Sequence, residues 1–302
     1  MRSSEQSAAY RQASSVLERF CPIMALLHLG AELEGALCRE SLPNAAASVL
    51  SKLPDRWEIP MLESARAPLQ QAPLLVFGNH PSMLTPFLLA AALERDDLRI
   101  LAHRYVTTLV SGMSPYVLPL EPTHLVSARR RGLASPAHAL SLSALRPLDG
   151  LVEEAEAWRA DRAALDEGTR HVLAGGALAL FPNGGRESGR RYPGLGRLVD
   201  ALRGSDALLV PVREAGSSNR RVYRLLRGRR RRAVLREPIR LYVGESIPMR
   251  RLVLPADVEA GEIVALLQSV YERAAWSGLG RVASLRTCRW DRVAGRRPFK
   301  GR

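Results

Sequence analysis

The 302-residue sequence contains only three cysteines, Cys21, Cys38 and Cys288, and none forms a C-x-x-C pair. An odd, scattered set supports neither a disulfide framework nor a zinc site, and it fits a reducing compartment. Lysine is nearly missing too: of 44 Lys and Arg residues, all but Lys52 and Lys300 are arginine. Aromatic residues make up 5% of the chain. With no motif for reading DNA or RNA, nucleic acid ranks last among possible partners. No apolar run reaches the roughly 18 residues of a membrane span. Residues 1–20 carry polar and charged side chains where a secretory leader has its apolar stretch. The expectation is a cytoplasmic protein, soluble or peripherally associated with a membrane.

What the sequence has in excess is positive charge, a net +14. It concentrates in 220–236, "RRVYRLLRGRRRRAVLR", which has no acid, and in the tail 281–302, which has one. Arginine at this density attracts polyanions, including anionic lipid and phosphorylated substrates. The plain alternative for either segment is a solvated basic surface.

Hydrophobic residues make up 46% of the chain, enough for a full core, and no Pro/Gly/Ser-rich linker divides it. The chain divides into an N-terminal helical attachment and linker (1–60), an α/β domain (61–280) and a basic tail (281–302). Helical spacing of apolar residues runs through 7–40, broken at Pro22, and 41–60 reads as a Pro-punctuated connection. Beyond it, strand-like segments at 74–77, 98–102, 116–120, 177–181, 207–212 and within 234–245 alternate with helical ones at 83–95, 151–174, 194–203 and 257–276. Alternation of this kind predicts an α/β fold: a mixed, largely parallel sheet covered by helices. Residues 121–150, rich in Arg, Pro and Ser, read as a loop insertion.

Two turns carry the chemistry. The first is "GNHPSMLTPF", 78–87, which joins a buried strand to a helix with Thr85 expected as its cap and Pro86 at its first position. It places His80 at the carboxyl end of a strand, where α/β proteins tend to hold ligands. The second is "FPNGGRES", 181–188. Glycines expose backbone N–H groups and the following arginine offers a planar fork of donors, which together make a phosphate cradle; an ordinary tight turn is the alternative. His28, His103, His124, His138 and His171 have no ligand-like spacing and read as structural or exposed.

The ordered set of Asn79-His80, then "FPNGGRES", then Val210-Pro211 and "VGESIP" (243–248) resembles the glycerolipid acyltransferases, the 1-acylglycerol-3-phosphate and glycerol-3-phosphate acyltransferases. Their first motif, N-H-x-x-x-x-D, is matched by Asn79 and His80, with Thr85 at the aspartate position. Their third, F-P-E-G-T-R-S, is matched by Phe181, Pro182, Gly184 and Arg186, with Asn183 and Gly185 replacing Glu and Thr. Their second is poorly matched, because "GMSPYVLPLEP" lacks its arginine. The resemblance implies that His80 is a general base acting with Thr85, and that Asn79, Phe181, Pro182, Asn183, Gly184, Gly185 and Arg186 bind substrate, Arg186 holding a phosphate. It implies an acyl thioester donor (acyl-CoA or acyl carrier protein), a phosphorylated glycerol or lysophospholipid acceptor, no metal or other cofactor, and work at an anionic membrane surface. The alternative is a catalytically silent lipid- or anion-binding member of the same fold. Thr85 cannot supply the aspartate's charge, so Thr85→Asp is expected to restore an orienting carboxylate.

Overall fold

A computed structural model describes residues 22–52, 57–60, 63–104, 106–107, 110–121, 154–182, 193–218, 222, 238–255 and 257–273. The strands are β1 (Trp57–Glu58), β2 (Leu74–Gly78), β3 (Leu98–His103), β4 (Val117–Leu120), β5 (Ala177–Leu180), β6 (Leu208–Ala215), β7 (Ile239–Val243) and β8 (Ile247–Pro248). The helices are α1 (Pro22–Leu37), α2 (Leu42–Ser51), α3 (Glu63–Gln71), α4 (Thr85–Leu93), α5 (Glu154–Leu173), α6 (Gly194–Ala201) and α7 (Ala260–Arg273).

The strands form one sheet in the order β1-β7-β6-β2-β5-β3-β4, with β8 paired to β6. The run β6-β2-β5-β3-β4 is parallel throughout, while β7 and β8 are antiparallel to β6. The expected class, a mixed and largely parallel sheet flanked by helices, is the one found. Alternate residues of each strand face opposite sides, which sorts the apolar side chains into two layers. Leu74, Val76, Ile100, Ala177, Ala179, Val210 and Val212 pack with residues of α1, α2 and α4. Leu75, Phe77, Leu101, Leu178, Leu180 and Leu209 pack with α5, α6 and α7. Burial on both faces explains why the central strands read as unbroken apolar runs.

Several expectations need correction. Helix α2 and strand β1 occupy the stretch read as a connection. Pro43 lies in the first turn of α2, where no backbone donor is needed, so it starts that helix rather than breaking one. Among the described residues, α1 begins at Pro22, the position read as a break in the helical pattern. Helix α3 escaped notice because it carries Pro68 internally and has few apolar residues. Strand β6 runs three residues past the expected Val212, to Ala215. That extension brings Glu214 into the sheet.

Candidate functional site

Adjacent strands β2 and β5 send their chains to opposite faces. Leu84, Leu88 and Leu89, at and within α4 after β2, lie in one apolar layer. Leu195, Leu198 and Val199 of α6, the next helix after β5, lie in the other. A crevice opens at the carboxyl ends of strands where connections diverge in this way. His80 and Phe181 meet there, their rings stacked at 5.1 Å between centroids and 28° between planes.

The turn carrying His80 is built tightly against β6. A Cβ on Gly78 would lie 2.2 Å from the Val212 carbonyl oxygen, so only glycine lets β2 end this close to its neighbour. Asn79 then continues the ladder with its side chain. Its Nδ2 donates to the Glu214 carbonyl at 2.8 Å, and its Oδ1 accepts from the Glu214 N–H at 2.8 Å. Both polar ends of Asn79, expected to touch substrate, are thus occupied by β6 backbone.

The Glu214 side chain grips the same turn further on. It is 2% exposed, and its carboxyl group accepts from Ser82 Oγ at 2.8 Å and from the hydroxyls of Ser217 and Thr85. Ser82 Oγ in turn accepts the Leu84 N–H at 3.2 Å. Thr85 was expected to cap α4. It is instead the first helical residue, with Leu84 at the cap position and no side-chain cap bond. Its hydroxyl lies between the Ser82 carbonyl, at 2.7 Å, and the Glu214 carboxyl group. A hydroxyl has one hydrogen to give, so an ionised Glu214 competes with Ser82 for it, whereas a protonated Glu214 donates back and satisfies both.

Electrostatics follow burial. Desolvation pushes the His80 imidazole down to about 4, opposed by a backbone interaction with Ser82. His80 is therefore neutral at cellular pH, and its Nδ1 is buried with no hydrogen-bond partner. Burial raises Glu214 above the usual carboxyl range, while the hydroxyls of Ser217, Thr85 and Ser82 pull it back. Tyr271 of α7 backs the turn from the other face. Its ring lies 6.2 Å from that of Phe77, and burial pushes its phenol up to about 12 against the charge of Arg213 and a backbone interaction with Asn79. His103, read as structural or exposed, ends β3 on the same edge of the sheet. Burial lowers its pKa, a backbone interaction with Leu120 opposes this, and the charge of His80 adds to the lowering.

Of the residues expected at the site, the structure brings His80 and Phe181 into contact and ties Asn79 and Thr85 together through Glu214; Pro182 follows Phe181 in the chain. Asn183, Gly184, Gly185 and Arg186 lie outside the described residues. Among the described residues, no group of His, Cys, Asp and Glu is arranged to hold a metal ion, and no helix is long and apolar enough to cross a membrane. Sequence reading missed Ser82, His103, Tyr271 and above all Glu214. Period two along β6 would have found Glu214, because it shares a sheet face with Val210 and Val212, and a carboxyl group on a buried face must have partners.

No protein family's model matches the sequence, and no curated protein matches it. Among solved structures, the 1-acyl-sn-glycerophosphate (LPA) acyltransferase PlsC from Thermotoga maritima resembles the chain, with a TM-score of 0.43 and 13% identity. The match covers 93% of this chain and 98% of that one.

Proposed function

We propose that the protein transfers a fatty acyl group from an acyl thioester, carried by coenzyme A or acyl carrier protein, to a hydroxyl of a phosphorylated glycerol or lysophospholipid. The observation that carries this reading is the imidazole of His80, held by a fixed turn at the carboxyl ends of β2 and β5, stacked on Phe181 and kept neutral by burial. A neutral imidazole can take the acceptor's hydroxyl proton as the oxygen attacks the thioester carbonyl. The C–O bond forms, the C–S bond breaks, and the proton passes from His80 to the departing thiolate, so the base is regenerated. Phe181 fixes the plane of the ring by stacking, and Arg186, five residues further along the sequence, would meet the acceptor's phosphate with its planar fork. The arginine-rich segments 220–236 and 281–302 suit an anionic membrane surface, where such an acceptor resides.

The test is thiol release from long-chain acyl-CoA with a panel of acceptors. The expected result is release that needs a phosphorylated hydroxyl acceptor and disappears in His80→Ala. Release that is indifferent to His80→Ala, or none with any acceptor, overturns the reading. Lipid binding without turnover would mark a silent binding protein.

A further inference from the structure

The imidazole of His80 needs a partner of opposite charge when it receives a proton, and Thr85, at the position of the resembled motif's aspartate, has only a hydroxyl. From the geometry we infer that Glu214 is the positioning carboxylate of the His80 turn, delivered from β6 rather than from the first turn of α4. The inference rests on the acyl-transfer reading for its kinetic consequence, while its structural consequence stands apart from that reading.

Three observations carry it. Glu214 holds both ends of the turn at once: its backbone binds the Asn79 carboxamide at 2.8 Å on each arm, and its carboxyl group binds Ser82 and Thr85. His80 sits between those two grips, so one residue of a neighbouring strand holds the backbone that carries the ring. The Glu214 carboxyl group touches the Thr85 hydroxyl itself, so a carboxyl group stands beside the motif's last position although that position carries only a hydroxyl. Finally, a buried carboxyl group is costly to keep, and an apolar residue would fill a sheet interior more cheaply. Ser82, Thr85 and Ser217 all turn toward Glu214, which makes a local polar network of a kind that fixes geometry. Glu214 touches no reacting atom, and its action runs through Ser82 and Thr85.

The test uses the full chain labelled with 15N-histidine, with the His80 signals identified by their loss in His80→Asn. Glu214→Gln keeps an acceptor for Ser82 and Ser217 and a donor toward Thr85, and so removes charge while retaining hydrogen bonds. The expected result is displaced His80 ring signals in Glu214→Gln that return toward the parent positions when Thr85→Asp is added, because the charge then re-enters from the other side of the same contact. In the thioester assay, Glu214→Gln is expected to lower kcat by about tenfold or more with KM changed by less than about twofold, and the double variant to recover. His80 signals that stay in place in Glu214→Gln, or a displacement that Thr85→Asp does not reverse, overturn the inference. If Glu214→Gln does not fold, Thr85→Val, which cuts one of the two contacts through which Glu214 acts, carries the same test with a smaller displacement, and an unmoved His80 there is equally decisive. Displaced and restored signals in a protein without thiol release leave the positioning role intact and overturn the acyl-transfer reading instead. Normal thiol release with unmoved signals does the reverse.

Discussion

Asn79 and Glu214 are joined by two hydrogen bonds of 2.8 Å each, the side-chain carboxamide of one pairing with the backbone N–H and C=O of the other. An amide side chain thereby stands in for one more residue of strand, just where β2 must stop so that His80 can turn out of the sheet. Replacing Asn79 with Ala leaves a donor and an acceptor of β6 unpaired. Each such loss costs about 1–3 kcal/mol, so Asn79→Ala is expected to lower stability by roughly 2–6 kcal/mol in chemical denaturation. Asn79→Asp keeps the acceptor but loses the donor, and sets a carboxylate against the Glu214 carbonyl. It should be no better tolerated.

Gly78→Ala tests how closely β2 approaches β6. The added methyl would meet a backbone carbonyl, that of Val212, at 2.2 Å, and backbone cannot step aside as a flexible side chain can. A loss of about 2–3 kcal/mol is expected, at the upper end of overpacking costs, with the His80 ring signals displaced as well.

Thr85→Asp by itself no longer looks like a restoration. Thr85 and Glu214 are 0% and 2% exposed, so the change would put two carboxyl groups in contact without water. They cannot both ionise there, and at least one pKa rises sharply. An acid with a raised folded pKa destabilises the protein at high pH and does so less as pH falls. Thr85→Asp should therefore show its largest melting-temperature deficit near pH 8 and a smaller one near pH 5. A deficit that grows on acidification would contradict the contact.

His80 makes its own contribution to acid sensitivity. Its folded pKa is lowered from 6.5 to about 4, so between those values the unfolded chain binds more protons than the folded one. Stability from this group is complete above about pH 6.5 and is lost as pH falls through about 4. The shift corresponds to the order of 3 kcal/mol at full burial. His80→Gln should flatten the stability profile across that window, with the remaining slope owed in part to His103, whose pKa is lowered in the same direction.

The basic segments give a prediction of a different kind. Each arginine near an anionic surface contributes about 1 kcal/mol, screened within a Debye length. Binding to vesicles rich in anionic lipid should collapse as salt rises, and neutral vesicles should not bind. Salt-independent binding would point to an apolar anchor instead.

Much of the fold is legible in the sequence because each element announces itself locally. "LLVFG" is a buried strand in any parallel sheet, and 257–276 has the apolar spacing of a helix. The His80 turn is legible for the same reason, a short run of strand, turn and helix signals in one place. The grip on that turn is not legible locally, because Glu214 lies 129 positions beyond Thr85 in the chain. Only the order of the sheet, with β6 beside β2, brings them together. Thr85 misled for a related reason. A threonine before proline has good capping chemistry, but a hydroxyl with a buried carboxyl group in reach is drawn to it rather than to the helix's own N–H groups.

The two layers of the core bear differently on the stacked pair of His80 and Phe181. The turn carrying His80 runs into α4, anchored in one layer, and Phe181 packs against that same layer, while α6 is anchored in the other. A small repacking in one layer leaves the side chains of the other layer in their own contacts. Leu88→Val in α4 and Leu198→Val in α6 should thus combine without epistasis, their separate costs adding to within about 0.5 kcal/mol. A sheet that insulates its two faces in this way lets the helices on each side accumulate change on their own, so selection can reshape one layer without re-solving the other.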